Sequence, residues 1–274
     1  CIRDRCYGGG MIFVGLAGGA VQAFNAETLE SLWVFKDTLG GQPNCTIQYS
    51  DGYIYTGFWN SETKDANFVC VSATDEDPDN TTETKYATWT YAVQGGFYWA
   101  GAYVTDKYAI VGSDDGESDS TSDSSYVYCF DKLTGEVVQK VGPHHGDIRS
   151  DISYYDGRIY FTSKGGYLYS YNLKEDGTID TENLIEPIEI GKMSTSTPAI
   201  ANGRCYVGSS YGSNFSGTYG ISVVDINAET GAMNLEYVVY TDAYPQTSGV
   251  VSTGYKGYNL SLIHISEPTR RSYI

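Results

Sequence analysis

The chain has 274 residues, with 34 Asp and Glu against 17 Lys and Arg, giving a formal net charge of −17 and a pI near 4.4. A field of that sign repels phosphate backbones and anionic lipid, which argues against nucleic-acid and charged-membrane partners, and no apolar run reaches the ~18 residues of a membrane span. Tyr occurs 26 times and Gly 32 times while only 19% of residues are charged, the balance of many short strands joined by tight turns rather than of long helices.

The chain opens at Cys1 without a methionine, so any signal segment or anchor would lie outside this sequence. One unit then recurs. Its first copy is Met11-Ile-Phe-Val-Gly15, a turn at Gly18-Gly19, the alternating run Val21-Gln-Ala-Phe-Asn25, and Trp33. The second runs from Asp51-Gly-Tyr-Ile-Tyr-Thr-Gly57 to Asn67-Phe-Val-Cys-Val71 and Trp89, with a polar insertion around Asp75 to Asn80 that reads as a solvated loop. The third has Asp106-Lys-Tyr-Ala-Ile-Val-Gly112, Tyr126-Val-Tyr-Cys-Phe-Asp131 and Leu133-Thr-Gly-Glu136. The fourth is compact, Asp156-Gly-Arg-Ile-Tyr-Phe-Thr162 with Tyr167-Leu-Tyr-Ser-Tyr171, and the fifth is Asn202-Gly-Arg-Cys-Tyr-Val-Gly208 with Ile221-Ser-Val-Val-Asp225 and Ala228-Glu-Thr-Gly231.

Aligned on Val14, Thr56, Val111, Phe161 and Val207, the copies are 42, 55, 50 and 46 residues apart, the length of one four-stranded propeller blade each. Asp51-Gly52, Asp156-Gly157 and Asn202-Gly203 supply the positive φ of two-residue hairpin turns. A further short strand before each hairpin, as in Ile148 to Tyr155 or Ser194 to Ile200, completes the blade. The fold expected is all-β, a β-propeller of four-stranded antiparallel blades with about five present, and Gln246-Thr-Ser-Gly-Val-Val251 as the inner strand of a truncated sixth. Cys45, Cys70, Cys129 and Cys205 sit in or beside these strands without CxxC spacing, which predicts buried free thiols.

From Met11 to Tyr258 this pattern resembles PQQ-like propeller repeats, whose blades carry Asp-Gly, strand, Asp-x-x-Thr-Gly and a downstream Trp. The spacing from His-Gly to Trp-Asp and the paired glycines that mark rival propeller families are missing. The resemblance makes Trp33 and Trp89 the residues that dock one blade on the next. Gln139 and Leu235 stand in the corresponding places of later copies, a departure that puts regular docking there in question. It also raises a quinone-dependent dehydrogenase holding PQQ over Ca²⁺. The vicinal Cys-Cys pair of those enzymes is absent here, and no position matches their Ca²⁺ ligands or catalytic Asp, so catalysis and cofactors are not expected unless further blades carry them. The main expectation is a secreted or cell-surface bacterial propeller that binds a protein or glycan partner without chemistry of its own. An outer-membrane-assembly-like scaffold lipoprotein is the related alternative.

Three segments are candidate sites. Gly95-Gly96-Phe97-Tyr98-Trp99-Ala100-Gly101 places three aromatics in a row, which cannot all face one side of a strand. Packing between blades accounts for such rings; the alternative is an exposed ligand patch of Phe97, Tyr98 and Trp99 joined by Trp59. Asp114-Asp115-Gly116-Glu117-Ser118-Asp119 offers clustered oxygens in Asp114, Asp115 and Asp119 that could hold Ca²⁺, against the plainer reading of a solvated hairpin loop. In His144-His145-Gly146-Asp147 the two imidazoles point to opposite sides, so a metal would use one of them with Asp147, and a polar loop between blades is the competing reading.

The propeller is assigned to residues 1–259 and a separate tail to 260–274. From Leu260 to Arg270 the residues Leu-Ser-Leu-Ile-His-Ile-Ser-Glu-Pro-Thr-Arg read as the in-frame translation of a common transposase-based sequencing adapter, and His264 is therefore given no function. Long-read sequencing of the source DNA across the codon for Asn259 is expected to continue into blade sequence. Recovery of the same fifteen codons followed by a stop would show the tail to be genuine.

Overall fold

The computed structural model describes residues 5–118, 121–212, 217–255 and 258–263. All regular elements among them are strands. The first sheet runs Arg5–Gly8 (β1), Met11–Leu16 (β2), Ala20–Asn25 (β3) and Ser31–Lys36 (β4) in sequence order. The second comprises Gln48–Ser50 (β5), Tyr53–Gly57 (β6) and Asp65–Ser72 (β7), then Ala87–Gln94 (β9), with Glu83–Lys85 (β8) leaving to join the first sheet. The third is Tyr103–Val104 (β10), Tyr108–Gly112 (β11), Ser125–Asp131 (β12) and Val137–His144 (β13). The fourth is Ser153–Tyr155 (β14), Arg158–Thr162 (β15), Tyr167–Asn172 (β16) and Ile188–Glu189 (β17); the fifth is Ala199–Ala201 (β18), Arg204–Ser210 (β19), Tyr219–Ile226 (β20) and Met233–Thr241 (β21).

Apart from the added β8, each of these sheets is an antiparallel meander, the blade expected from the repeat, and the blades do not close into a ring. Gly249–Tyr255 (β22) and Tyr258–Ile263 (β23) pair as a hairpin, so Leu260 to Ile263 form backbone pairs with residues 249–252, and residues 264–274 lie outside the described residues. The predicted turns are present. Asp51, Asp156 and Asn202 have φ of 49°, 49° and 52°, each followed by a positive-φ glycine. The third blade lacks that dipeptide at Asp106-Lys107, and there Thr105 Oγ1 instead accepts the amides of Lys107 and Tyr108.

The blade-two insertion does more than solvate. Its exposed tip at Glu76 to Asn80 leads into β8, which pairs in parallel with β4 and covers the outer edge of blade one. Lys85 is buried there and held by Glu76 at 2.9 Å and Glu83 at 3.4 Å.

The core lies between the blades. Phe13, Trp33, Ile54 and Phe58 fill the first interface, Tyr55, Phe68, Trp89 and Phe130 the second, Ile110, Ile148, Ile159 and Phe161 the third, and Tyr160, Cys205 and Val224 the fourth. Cys45, Cys70, Cys129 and Cys205 are buried free thiols, as the sequence implied.

A single polar contact recurs at every one of these interfaces. A donor from one blade reaches a backbone carbonyl in the turn between the third and fourth strands of the next. Trp33 Nε1 donates to Ala73 O at 3.3 Å and Trp89 Nε1 to Lys132 O at 3.0 Å. Gln139 occupies the Trp position of blade three and does the same work, its Nε2 donating to Ile179 O at 2.9 Å while its Oε1 accepts from Ile179 N at 2.7 Å. Between blades four and five the donor comes from another strand: Arg158 Nη2 reaches Ala228 O at 3.1 Å. The turn glycine sits under the docking group in both forms. A Cβ at Gly135 would stand 2.6 Å from the Trp89 ring, and one at Gly231 would stand 2.7 Å from Arg158 Nε. The Thr-Gly of the repeat is thus a landing place for the preceding blade. Gln139→Leu leaves the buried amide and carbonyl of Ile179 unpaired and is expected to lower stability by about 1–3 kcal/mol, read as a shift of the urea midpoint with unchanged slope.

Candidate functional site

In a four-stranded meander the loop between the second and third strands and the loop leading to the next blade emerge on the same face. That face gathers residues 58–64, 95–102, 113–118, 121–124 and 145–152. The glycine or threonine ending the second strand of blades two, three and four decides how closely they approach. Phe97 and Ile148 lie over Gly57 and Gly112, where a Cβ would overlap them, and in blade four Thr162 takes the place of glycine and donates to Ser196 O at 2.8 Å. Successive loops then register through Phe97 N donating to Phe58 O and Ile148 N donating to Ser113 O.

This registration makes Trp59 equivalent to Asp114, and Tyr98 equivalent to Arg149. Trp59 and Tyr98 stack with ring centroids 4.6 Å apart, and at the equivalent places Asp114 and Arg149 form an ion pair at 2.7 Å. The two pairs touch, since the Arg149 guanidinium lies 4.6 Å from the Tyr98 ring centroid. Tyr98 also stacks on Trp99 at 4.5 Å. Of the four aromatic candidates, Trp59, Tyr98 and Trp99 are therefore brought together, each half-buried, whereas Phe97 is fully buried between blades two and three and packs on Phe68. Phe97 is removed from any surface patch because Gly57 lets its backbone descend onto the core.

Arg149 is the centre of the charged part. Its Nη2 lies 2.7 Å from Glu62 Oε2, 2.7 Å from Asp114 Oδ2 and 2.8 Å from Asp147 Oδ2, and its Nε is 3.2 Å from both Asp114 oxygens. Lys164 Nζ stands 3.6 Å from Asp147 Oδ2, and Asp115 N donates to Asp147 Oδ1 at 3.0 Å. Asp114, Asp147 and Arg149 are buried, and Glu62 is the partly exposed member. The ligand oxygens of Glu62, Asp114 and Asp147 lie within 4.8 Å of one another, a spacing that suits a cation, and the guanidinium supplies that cation. Burial, followed by the neighbouring Asp147, holds the Asp114 carboxyl well above the usual range. Burial likewise pushes Asp147 up to about 7 against the opposing pull of Arg149. Arg149 is pushed above its ordinary value although burial opposes it, because the three carboxylates outweigh that loss.

The acidic stretch read from the sequence is divided by this arrangement. Asp114 turns inward to Arg149, while Asp115 closes its own loop, accepting Glu117 N at 2.9 Å and Ser122 Oγ at 2.8 Å; Asp119 lies outside the described residues. Asp147 belongs with Asp114 rather than with a histidine. His144 turns inward, Nε2 2.9 Å from Tyr171 Oη, with its pKa lowered to about 4 by burial, while His145 turns outward to Asp123 at 2.6 Å. The partners Glu62 and Arg149 went unrecognised in the sequence. Their only signal was positional, Arg149 and Asp114 falling where the preceding copy has Tyr98 and Trp59.

Against known proteins, residues 69–250, about two thirds of the chain, match the PQQ-like repeat family described as outer membrane protein assembly factor BamB. The chain belongs to this family. No curated protein sequence matches it. Among solved structures it is similar to BamB from Moraxella catarrhalis, with a TM-score of 0.58 and 18% identity over 86% of this chain and 62% of that one. The computationally designed Ika8 protein gives a TM-score of 0.58 and 14% identity over 90% of this chain and 64% of that one. A chain of the mitotic checkpoint complex gives 0.64 and 10% over 90% and 67%. These likenesses share the propeller fold, and the chain spans under two thirds of the length of the first two.

The charge balance at Arg149 sets a pH dependence. Folded Asp147 takes up its proton near pH 7 and the unfolded acid near 3.8, so its contribution to stability is present in acid and is lost as pH rises through 7. His144 works in the opposite sense, lowering stability as pH falls from 6.5 towards 4, and is flat above that range. Between about pH 4 and pH 6.5 the two slopes therefore nearly cancel in the wild type, and Asp147→Asn, which removes only the falling one, is expected to gain stability with rising pH by up to about 3 kcal/mol over that range in urea titrations. A variant whose stability stays as flat as the wild type's across that range would remove Asp147 as the opposing group.

Proposed function

We propose that the chain is part of a non-catalytic propeller that holds protein partners in the bacterial envelope, in the manner of an outer membrane protein assembly factor. The observation that carries this reading is the family match over residues 69–250. The loop face adds support. Its buried carboxylates Asp114 and Asp147 are paired by Arg149 from within, which is how a scaffold uses charge to fix loops, whereas an active site keeps reactive groups available. The half-exposed rings beside the cluster offer contact area of the kind that protein interfaces favour. The location that follows is periplasmic or outer-membrane associated.

The test uses the full-length protein in its source organism. A tagged copy is expected to co-purify with β-barrel outer-membrane proteins or their assembly components, and deletion is expected to lower the amount of folded β-barrel protein in the envelope. Unchanged β-barrel levels together with no such co-purification would overturn the scaffold reading.

A further inference from the structure

The loop that carries Tyr98 and Trp99 is one residue longer than its counterparts. Between the amide that registers on the preceding loop and the first residue of the inner strand there are five residues after Phe97, but four after Ile148 and four after Ser194. The extra residue is absorbed at Trp99, whose φ is 61°, a left-handed conformation that a bulky side chain rarely adopts. Blade packing does not require it, because the shorter loops make the same registration without it. Strain retained at a large half-buried ring is a pointer to function.

We propose that Trp59, Tyr98 and Trp99, with the Glu62 carboxylate beside them, form the seat for an arginine or lysine side chain presented by a basic segment of a protein partner. The proposal rests on the protein-holding reading above and names what the partner offers. The molecule already contains the recognition it would repeat: Arg149 lays its guanidinium 4.6 Å from the Tyr98 ring centroid and pairs with Glu62 at 2.7 Å. The Glu62 side chain is 37% exposed, so it faces both the internal arginine and the solvent. The field of the whole chain, which carries −17, also favours a second cation at this exposed carboxylate. A basic segment would be steered to this face by the overall field and held by stacked rings and a carboxylate once there.

The probe is a short fluorescein-labelled peptide of alternating arginine and serine, compared by anisotropy with its citrulline counterpart, which keeps the shape and loses the charge. The arginine peptide is expected to bind, more weakly as salt is raised, and the citrulline peptide to bind at least ~10-fold more weakly. Trp99→Gly removes the ring and relieves the left-handed backbone, so its urea midpoint should not fall, yet it should lose ~10-fold or more in peptide affinity; Glu62→Gln should weaken binding in the same direction. Equal binding of the two peptides, or full affinity in Trp99→Gly, overturns the proposal. Binding of a neutral chito-oligosaccharide that depends on Trp99, without binding of the arginine peptide, also overturns it and makes the seat a glycan site. In cells, full-length Trp99→Gly that still co-purifies with its partners sinks this seat while leaving the scaffold reading intact. Failure of the wild type to associate with outer-membrane proteins sinks the scaffold reading, and the peptide titration still judges the seat.

Discussion

Everything in this fold hangs on how one blade meets the next. An isolated four-stranded sheet leaves both faces wet, and the buried residues of each blade are buried by its neighbours. Apolar packing alone would let two twisted sheets slide. The donor that crosses each interface to a carbonyl in the next turn fixes the offset, since a buried carbonyl without a partner costs more than the bond gains. What is constant is the acceptor. The donor is Trp33 or Trp89 where an indole is available, Gln139 where it is not, and Arg158 from a different strand at the fourth interface.

With the blades locked, the loops on one face have little freedom left. Thr46 Oγ1 donates to Asp151 Oδ1 at 2.9 Å, joining the inner ends of blades two and four across blade three. Gly101 makes that possible, because a Cβ there would come within 2.9 Å of Thr46 Cβ and closer still to the Asp151 carboxylate. The same economy of space brings Glu62, Asp114 and Asp147 from three loops onto a single guanidinium. A buried charge cluster of this kind adds little net stability, as the cost of drying the ions offsets their attraction. Its effect is on geometry: it holds the loops beneath Tyr98 in one arrangement, and so sets where the aromatic rings stand.

The repeat was legible because its cause is local. Asp51-Gly52, Asp156-Gly157 and Asn202-Gly203 needed only their own positive φ, and alternation needed only one buried face per strand, so blades, turns and buried thiols could be read residue by residue. Trp33 and Trp89 were recognised as docking groups through their family likeness. Gln139 looked like a departure because its role depends on reaching Ile179, which no local pattern reveals.

The candidate site behaved differently. Three neighbouring aromatics allowed both packing between blades and a surface patch, and the structure divides them: Phe97 goes inward because Gly57, distant in sequence, lets it, while Trp59 joins Tyr98 across a strand pair. Asp114 and Asp115 are adjacent in the chain and diverge in space, one to Arg149 and one to its own loop. The sequence by itself determined the propeller class, the second and third strands of each blade, the hairpin turns and the sign of the electrostatic field, all set by residue type and short-range spacing. Only the tertiary structure decided which carboxylates share Arg149, which donor serves each interface and which rings reach the surface. Those outcomes depend on the offset between blades, and that offset is settled by packing among residues tens of positions apart in the chain.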